Sequence, residues 1–276
     1  MTSDHESPPE VLFEKEDHIA TITLNRPERG NALTSSMGAR LREIWCEISS
    51  DPWIRCAVVT GAGARHFCTG ADLVNAAETG RVSGGYGPAT HEVNLTPRQN
   101  DVWKPTICAV NGTAAGAGLH FVVDSDIVVA SSSASFLDTH VNVGMVGAIE
   151  NIGLAKRLPL GTALRMTLQG RNFRLPAERA YQLGLVDELA EPDELLSTAM
   201  EIATDICKNS PNAVSLSQRA VWSAVEMPYS QSVEYGYALL RMHWSHPDFK
   251  EGPRAFVEDR EPNWTVDEPP ADTQDR

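Results

Sequence analysis

Three short runs, "RCAVVTG", "TICAVNG" and "DIVVAS", are apolar at nearly every position and rich in β-branched residues. A strand with one wet face alternates, whereas a strand without a polar face is covered on both sides, which calls for a sheet with helices packed over it. The chain is therefore expected to be α/β. "HIATITLN" alternates Ala20, Ile22 and Leu24 with polar positions and reads as a half-buried strand. After it, "TSSMGARLREIWCEISS" puts Met37, Leu41, Ile44, Trp45 and Ile48 on one helical face, behind Thr34 or Ser35 as N-cap.

From Glu150 onward the pattern is mostly helical. "PAERAYQLG" has Pro176 near a helix start and Gly184 past its end, where a missing N–H and a permissive φ are tolerated. "LVDELA" reads as a last short strand, and helices are expected near 192–208, 211–226 and 230–244. The reading divides the chain into a core over 10–200, a helical section over 201–264, and disordered polar tails at 1–9 and 265–276. The segment 74–103, with Gly84, Gly85, Gly87 and Pro88, is an irregular insertion, either a binding loop or lid or a surface excursion.

Composition narrows the function classes. With 42% hydrophobic and 22% charged residues among 276, the chain can bury a sizeable core. A net charge of −14 disfavours nucleic acid and anionic membrane as general partners, while leaving room for a local basic patch that holds one polyanion. Cys46, Cys56, Cys68, Cys108 and Cys207 lack CxxC spacing, which favours reduced thiols in a cytoplasm over disulfides or a zinc site, and no metal site is expected. No signal-peptide pattern or membrane-spanning apolar stretch is present, so a cytoplasmic protein without membrane insertion is expected.

Two small-residue turns carry the chemistry. In "HFCTGADL" the chain turns at Gly70 before Ala71 and Asp72, and in "NGTAAGAGLH" it turns through Gly116, Ala117 and Gly118 into a helix. If the N–H groups of Ala71 and Ala117 converge, they form a two-donor pocket for a developing oxyanion. Taken singly, each is also an ordinary turn after a strand.

In order and context, these elements resemble the enoyl-CoA hydratase/isomerase superfamily, the crotonases, over roughly residues 11 to 264. The matching stretches are "LNRPERGNALT", "HFCTGADL", "KPTICAVNGTAAGAGL", "SDIVVASSSASF", "LQGRNFRLPAERAYQLGLVDELAEPDEL" and "KEGPRAFVEDREPNW". The resemblance implies a crotonase-like spiral of ββα turns with a helical C-terminal trimerisation section, and a homotrimer or dimer of trimers. It implies an acyl-CoA substrate in fatty-acid or lipid metabolism, with no cofactor beyond the coenzyme A that the substrate carries. It places the two oxyanion donors at Ala71 and Ala117. It places the nucleotide end of coenzyme A near Arg26, Arg29, Asn31 and Ala32, with Asp72 and Leu73 also on the coenzyme A side. Arg26 and Arg29 read equally well as solvated turn residues.

The chain departs from the family where hydratases carry two catalytic glutamates. Those positions fall on His120 and His140, so both carboxylates are replaced by the one side chain that titrates near neutral pH. A first-turn position for His120 and the nearness of two imidazoles are expected to favour neutral rings. Glu150 joins them as a catalytic candidate, or else is a carboxylate favouring its helix dipole; Asp138 is a candidate orienter of His140.

The leading expectation is a lyase that adds or removes water at a 2-enoyl thioester through an oxyanion-stabilised enolate. Alternatives are hydrolysis of a C–C bond or of the thioester on the same fold, double-bond isomerisation, and an acyl-CoA-binding protein without turnover. A dinucleotide-binding reading of "GTAAGAG" fails because it needs an acidic residue at the end of a second strand, and "SFLDTH" shows no strand pattern before Asp138.

Overall fold

The computed structural model describes residues 8–74, 77 and 93–265. The expected tails, apart from residues 8, 9 and 265, and the glycine-rich centre of the 74–103 insertion lie outside the described residues.

Two sheets organise the chain. The large one has the order β1 (Val11–Glu16), β2 (Ile19–Leu24), β3 (Cys56–Gly61), β5 (Thr106–Val110), β7 (Ile127–Ser131) and β10 (Glu188–Ala190). Only the β1–β2 pair in it is antiparallel. The continuous apolar runs became β3, β5 and β7, and their side chains divide between two cores. Ala57, Val59, Cys108 and Val110 face one cluster, while Cys56, Val58, Ile107 and Ala109 face the other. Period-two alternation thus survives in which core a residue enters rather than in polarity.

Helix α1 (Ser35–Ser50) covers the first core with the five residues read from its period, and Thr34 caps it by accepting a hydrogen bond from the Met37 N–H at 3.1 Å. A helix further along, α6 (Leu195–Cys207), covers the second core through Leu195, Ala199, Ala203 and Cys207. It runs across the division placed at residue 200. The helices expected near 211–226 and 230–244 are α7 (Pro211–Glu226) and α8 (Tyr229–His243), followed by α9 (Asp248–Val257). No described helix is long and apolar enough to cross a membrane.

The small sheet positions the site. Its order is β4 (His66–Cys68), β6 (Thr113–Ala115), β8 (Ser135–Leu137) and β9 (Leu175–Pro176). β3, β5 and β7 are each followed within a few residues by β4, β6 and β8, and these three pair in parallel in that order. Their carboxyl ends therefore lie side by side, and the segments leaving them carry Ala71, Ala117 and His140. β8 also corrects the expectation that no strand precedes Asp138. Its three residues are too few to show an alternation.

Candidate functional site

The first turn depends on Gly70. Its φ is +98°, and a methyl group there would stand 3.1 Å from the Ala115 carbonyl oxygen and 3.2 Å from the Ala117 nitrogen, so the two turns touch backbone to backbone. Ala71 forms a parallel bridge with Leu33, in which the Leu33 N–H donates to the Gly70 carbonyl at 2.8 Å and the Asp72 N–H to the Leu33 carbonyl at 2.9 Å. That pattern uses the groups flanking Ala71 and turns its own N–H to the opposite edge. Ala117 lies in the 3-10 turn Gly116–Gly118, continuous with α2 (Leu119–Asp124).

Ala71, Ala117, His120 and His140 all line one cavity of about 480 Å³. The structure thus brings together both expected oxyanion positions and both histidines.

Each imidazole has a distinct setting. His120, on α2, is buried, with Nδ1 3.0 Å from Gln99 Nε2 and Nε2 3.3 Å from Glu150 Oε2. Burial pushes its pKa down to about 4, and the neighbouring His140 acts in the same direction. His140 follows β8, and its Nδ1 donates to Asp138 Oδ1 at 2.6 Å. That hydrogen bond, aided by the charges of Glu150 and Asp138, outweighs burial and holds the His140 pKa above its ordinary value. The expectation of a neutral ring therefore holds for His120. For His140 the shift runs the other way, because a carboxylate beside it favours the charged form.

Glu150 stands in the first turn of α3 (Ile149–Arg157) and is buried between the histidines. Its Oε1 is 3.1 Å from His140 Nδ1 yet receives no hydrogen bond, since the single Nδ1 hydrogen is aimed at Asp138. Burial raises the Glu150 carboxyl above its ordinary range. Although burial also acts on Asp138, hydrogen bonds from the His140 ring, the Asn151 amide and the His140 backbone N–H keep that carboxyl low. Asp138, His140 and Glu150 each offer one atom within 4.8 Å of the others, the composition of a metal centre. Within that group, His140 Nδ1 and Asp138 Oδ1 are already joined by a 2.6 Å hydrogen bond.

The coenzyme A side departs from expectation. Asn31 is fully buried, accepting from the Arg26 N–H and donating to the Ala62 and His66 carbonyls, so its side chain has no surface left for a ligand. The Arg26 guanidinium is committed to Glu10, the Ala32 carbonyl and Asp72. Arg26 and Asp72 thus tie the "NRPERGNAL" loop to the turn that carries Ala71. Arg29 and Leu73 are exposed, and Ala32 is half-buried.

Gln99, Asn151 and Gly147 were not singled out from sequence. A methyl group on Gly147 would overlap the Asn151 amide and stand 2.7 Å from Asp138 Oδ2 and 3.1 Å from His140 Nδ1.

A family model described as Enoyl-CoA hydratase/isomerase matches residues 14–267. The chain belongs to the enoyl-CoA hydratase/isomerase family. It is 34% identical over 255 residues to (E)-benzylidenesuccinyl-CoA hydratase of Thauera aromatica, covering 91% of this chain and 97% of that one. It is 32% identical to the short-chain-enoyl-CoA hydratase of Clostridium acetobutylicum, covering 91% and 95% respectively. Among solved structures, an enoyl-CoA hydratase/isomerase from Mycobacterium paratuberculosis superposes with a TM-score of 0.84 at 38% identity, over 94% of this chain and 99% of that one. The crotonase fold with two mixed sheets and C-terminal helices is thus shared at family level.

Proposed function

We propose that this family member adds water to, or removes it from, a 2-enoyl-CoA thioester, with His140 as the proton-transfer group. The observation that carries this is the single cavity lined by Ala71, Ala117, His120 and His140. The thioester oxygen accepts the Ala71 and Ala117 N–H groups, which stabilise the enolate formed when water oxygen bonds to the β-carbon. His140 Nδ1 is turned to Asp138, so Nε2 is the nitrogen left to take the water proton and deliver it to the α-carbon. Asp138 and Glu150 stabilise the imidazolium in between, and neutral His120 holds Glu150 against the other side of the site. Arg29, Ala32 and Leu73 are the remaining contacts for coenzyme A.

Exposed apolar side chains on the C-terminal helices, among them Val221, Tyr229, Met242 and Phe256, suit self-association as a homotrimer or a dimer of trimers. Unpaired cysteines suit a reducing cytoplasm.

The test is hydration of enoyl-CoAs of varied acyl shape by the protein and by His140→Ala. The reading predicts turnover that falls on the order of 10²-fold or more in the variant. Turnover by neither protein, or equal turnover by both, overturns it.

One observation favours a second reading. A histidine with a carboxylate behind one nitrogen and the other nitrogen free is suited to drive water onto a carbonyl, as in hydrolytic C–C cleavage of a β-dicarbonyl. Both reactions add the mass of water, and only the second opens a ring or splits the carbon skeleton.

A further inference from the structure

The segment over residues 95–100 has no regular structure beyond the 3-10 turn Arg98–Asn100, yet it is pinned at several points. Trp45 Nε1 donates to the Leu95 carbonyl at 2.8 Å. Thr96 Oγ1 donates to Asp124 Oδ2 at 2.6 Å, and the Asn100 amide donates to the Asn94 and Thr96 carbonyls. Asp124 lies four residues after His120, so both project from the same face of α2 onto this segment.

Gln99 sits at the centre of this arrangement, and its amide orientation is decided by its partners. Its Oε1 accepts the Leu95 N–H at 2.9 Å, which leaves the NH₂ end as the group 3.0 Å from His120 Nδ1. An NH₂ group only donates, so His120 Nδ1 must be the accepting, unprotonated nitrogen. The ring hydrogen of neutral His120 then lies on Nε2, facing Glu150 Oε2 at 3.3 Å. With the tautomers reversed, a donor would meet a donor at Gln99 and a bare lone pair would meet a carboxylate oxygen at Glu150.

We propose that Gln99 is a positioning residue that fixes His120 as the Nε2–H tautomer, so that His120 presents a hydrogen to Glu150 and leaves proton transfer to His140. This rests on the reading of His140 as the proton-transfer group. The ionisable groups facing His120 are Glu150 from α3 and His140 from the segment after β8. Both feel the change if its ring hydrogen moves.

Nitrogen-15 NMR of the histidine rings in the whole protein tests this directly, since protonated and bare ring nitrogens have well-separated shifts. The wild-type protein is expected to show His120 with Nε2 protonated and Nδ1 bare. Gln99→Glu keeps the oxygen that accepts from Leu95 and replaces the donor by an acceptor. It is expected to draw a hydrogen onto Nδ1, raise the His120 titration from about 4, and lower kcat at least tenfold with a smaller change in KM. Gln99→Met, similar in length and without donors, is expected to give a mixture of tautomers and an intermediate kcat. A purely structural role predicts equal losses in both variants and an unmoved His120 titration. The proposal is overturned if wild-type His120 carries its hydrogen on Nδ1, or if Gln99→Glu leaves its ring shifts and titration unchanged. The tautomer is read in the resting protein, so failure of the hydratase assignment would appear as absent wild-type turnover and leave the NMR result standing.

Discussion

His140 donates both its ring Nδ1–H and its backbone N–H to the same carboxylate oxygen of Asp138, at 2.6 and 3.1 Å. Two hydrogen bonds from one residue to one oxygen fix the ring relative to its own backbone, and they leave Nε2 as the nitrogen free for chemistry. The Asp138 carboxylate is held in turn through its second oxygen by the Asn151 amide at 2.7 Å.

Replacing Asp138 by Asn tests the electrical part of this arrangement. The carboxylate stabilises the imidazolium, so its loss lowers the His140 pKa toward or below the ordinary value near 6.5. For a group acting as base, the acid limb of the kcat/KM profile should move to lower pH in Asp138→Asn, while maximal kcat falls on the order of tenfold to 10²-fold. An acid limb that stays in place, measured with any substrate the protein turns over, would mean that it belongs to another group.

Gly147 approaches the same cluster from the far side. Its Cα has no room for a methyl group beside Asn151, Asp138 and His140. Gly147→Ala should displace the dyad and destabilise the protein by about 1–3 kcal/mol, the usual cost of overpacking. Denaturant unfolding gives the second quantity and steady-state kinetics the first. Native kinetics in a fully folded variant would show that the cluster tolerates movement.

The parts of this molecule that were legible in sequence are those where burial repeats. Met37, Leu41, Ile44, Trp45 and Ile48 recur at helical spacing and all face the core, and β3 and β5 are largely apolar because both faces are covered. The small sheet was not legible, since strands such as Thr113–Ala115 and Ser135–Leu137 are shorter than any periodicity they would have to display. At the site, the two histidines could be found because the resemblance to the crotonases puts the family's two glutamate positions on them. Gln99 could not, because an irregular segment carries no pattern that says which of its polar residues points inward. Asn31 and Arg26 show the opposite case: polar residues in a loop look available, and only the fold reveals that their side chains hold its backbone.

His120 makes an acid-stability prediction of definite sign. Its folded pKa near 4 lies below the unfolded value near 6.5, so the unfolded chain binds a proton that the folded ring refuses. Stability should therefore fall as pH drops below about 6.5, with the full penalty, roughly 3 kcal/mol, reached below the folded pKa. Denaturant unfolding from pH 7 to pH 4 should show a shallower loss for His120→Gln than for the unmodified protein. Parallel slopes for the two proteins would place the acid sensitivity elsewhere.

The oxyanion assignment can be tested by deleting a single hydrogen-bond donor. Ala117 lies within the first helical turn after Gly116, where proline is tolerated because its fixed φ suits that turn and its missing N–H has no helical acceptor. Ala117→Pro should therefore remove the N–H proposed as an oxyanion donor with little change to the helical turn that carries it. If that N–H meets the developing oxyanion, kcat should fall on the order of 10²–10³-fold with a much smaller effect on KM, because the interaction strengthens as charge develops on the oxygen. A rise in KM with kcat unchanged would instead assign the N–H to ground-state binding of the thioester. Unaltered kinetics would leave Ala71 as the sole candidate of the two turns.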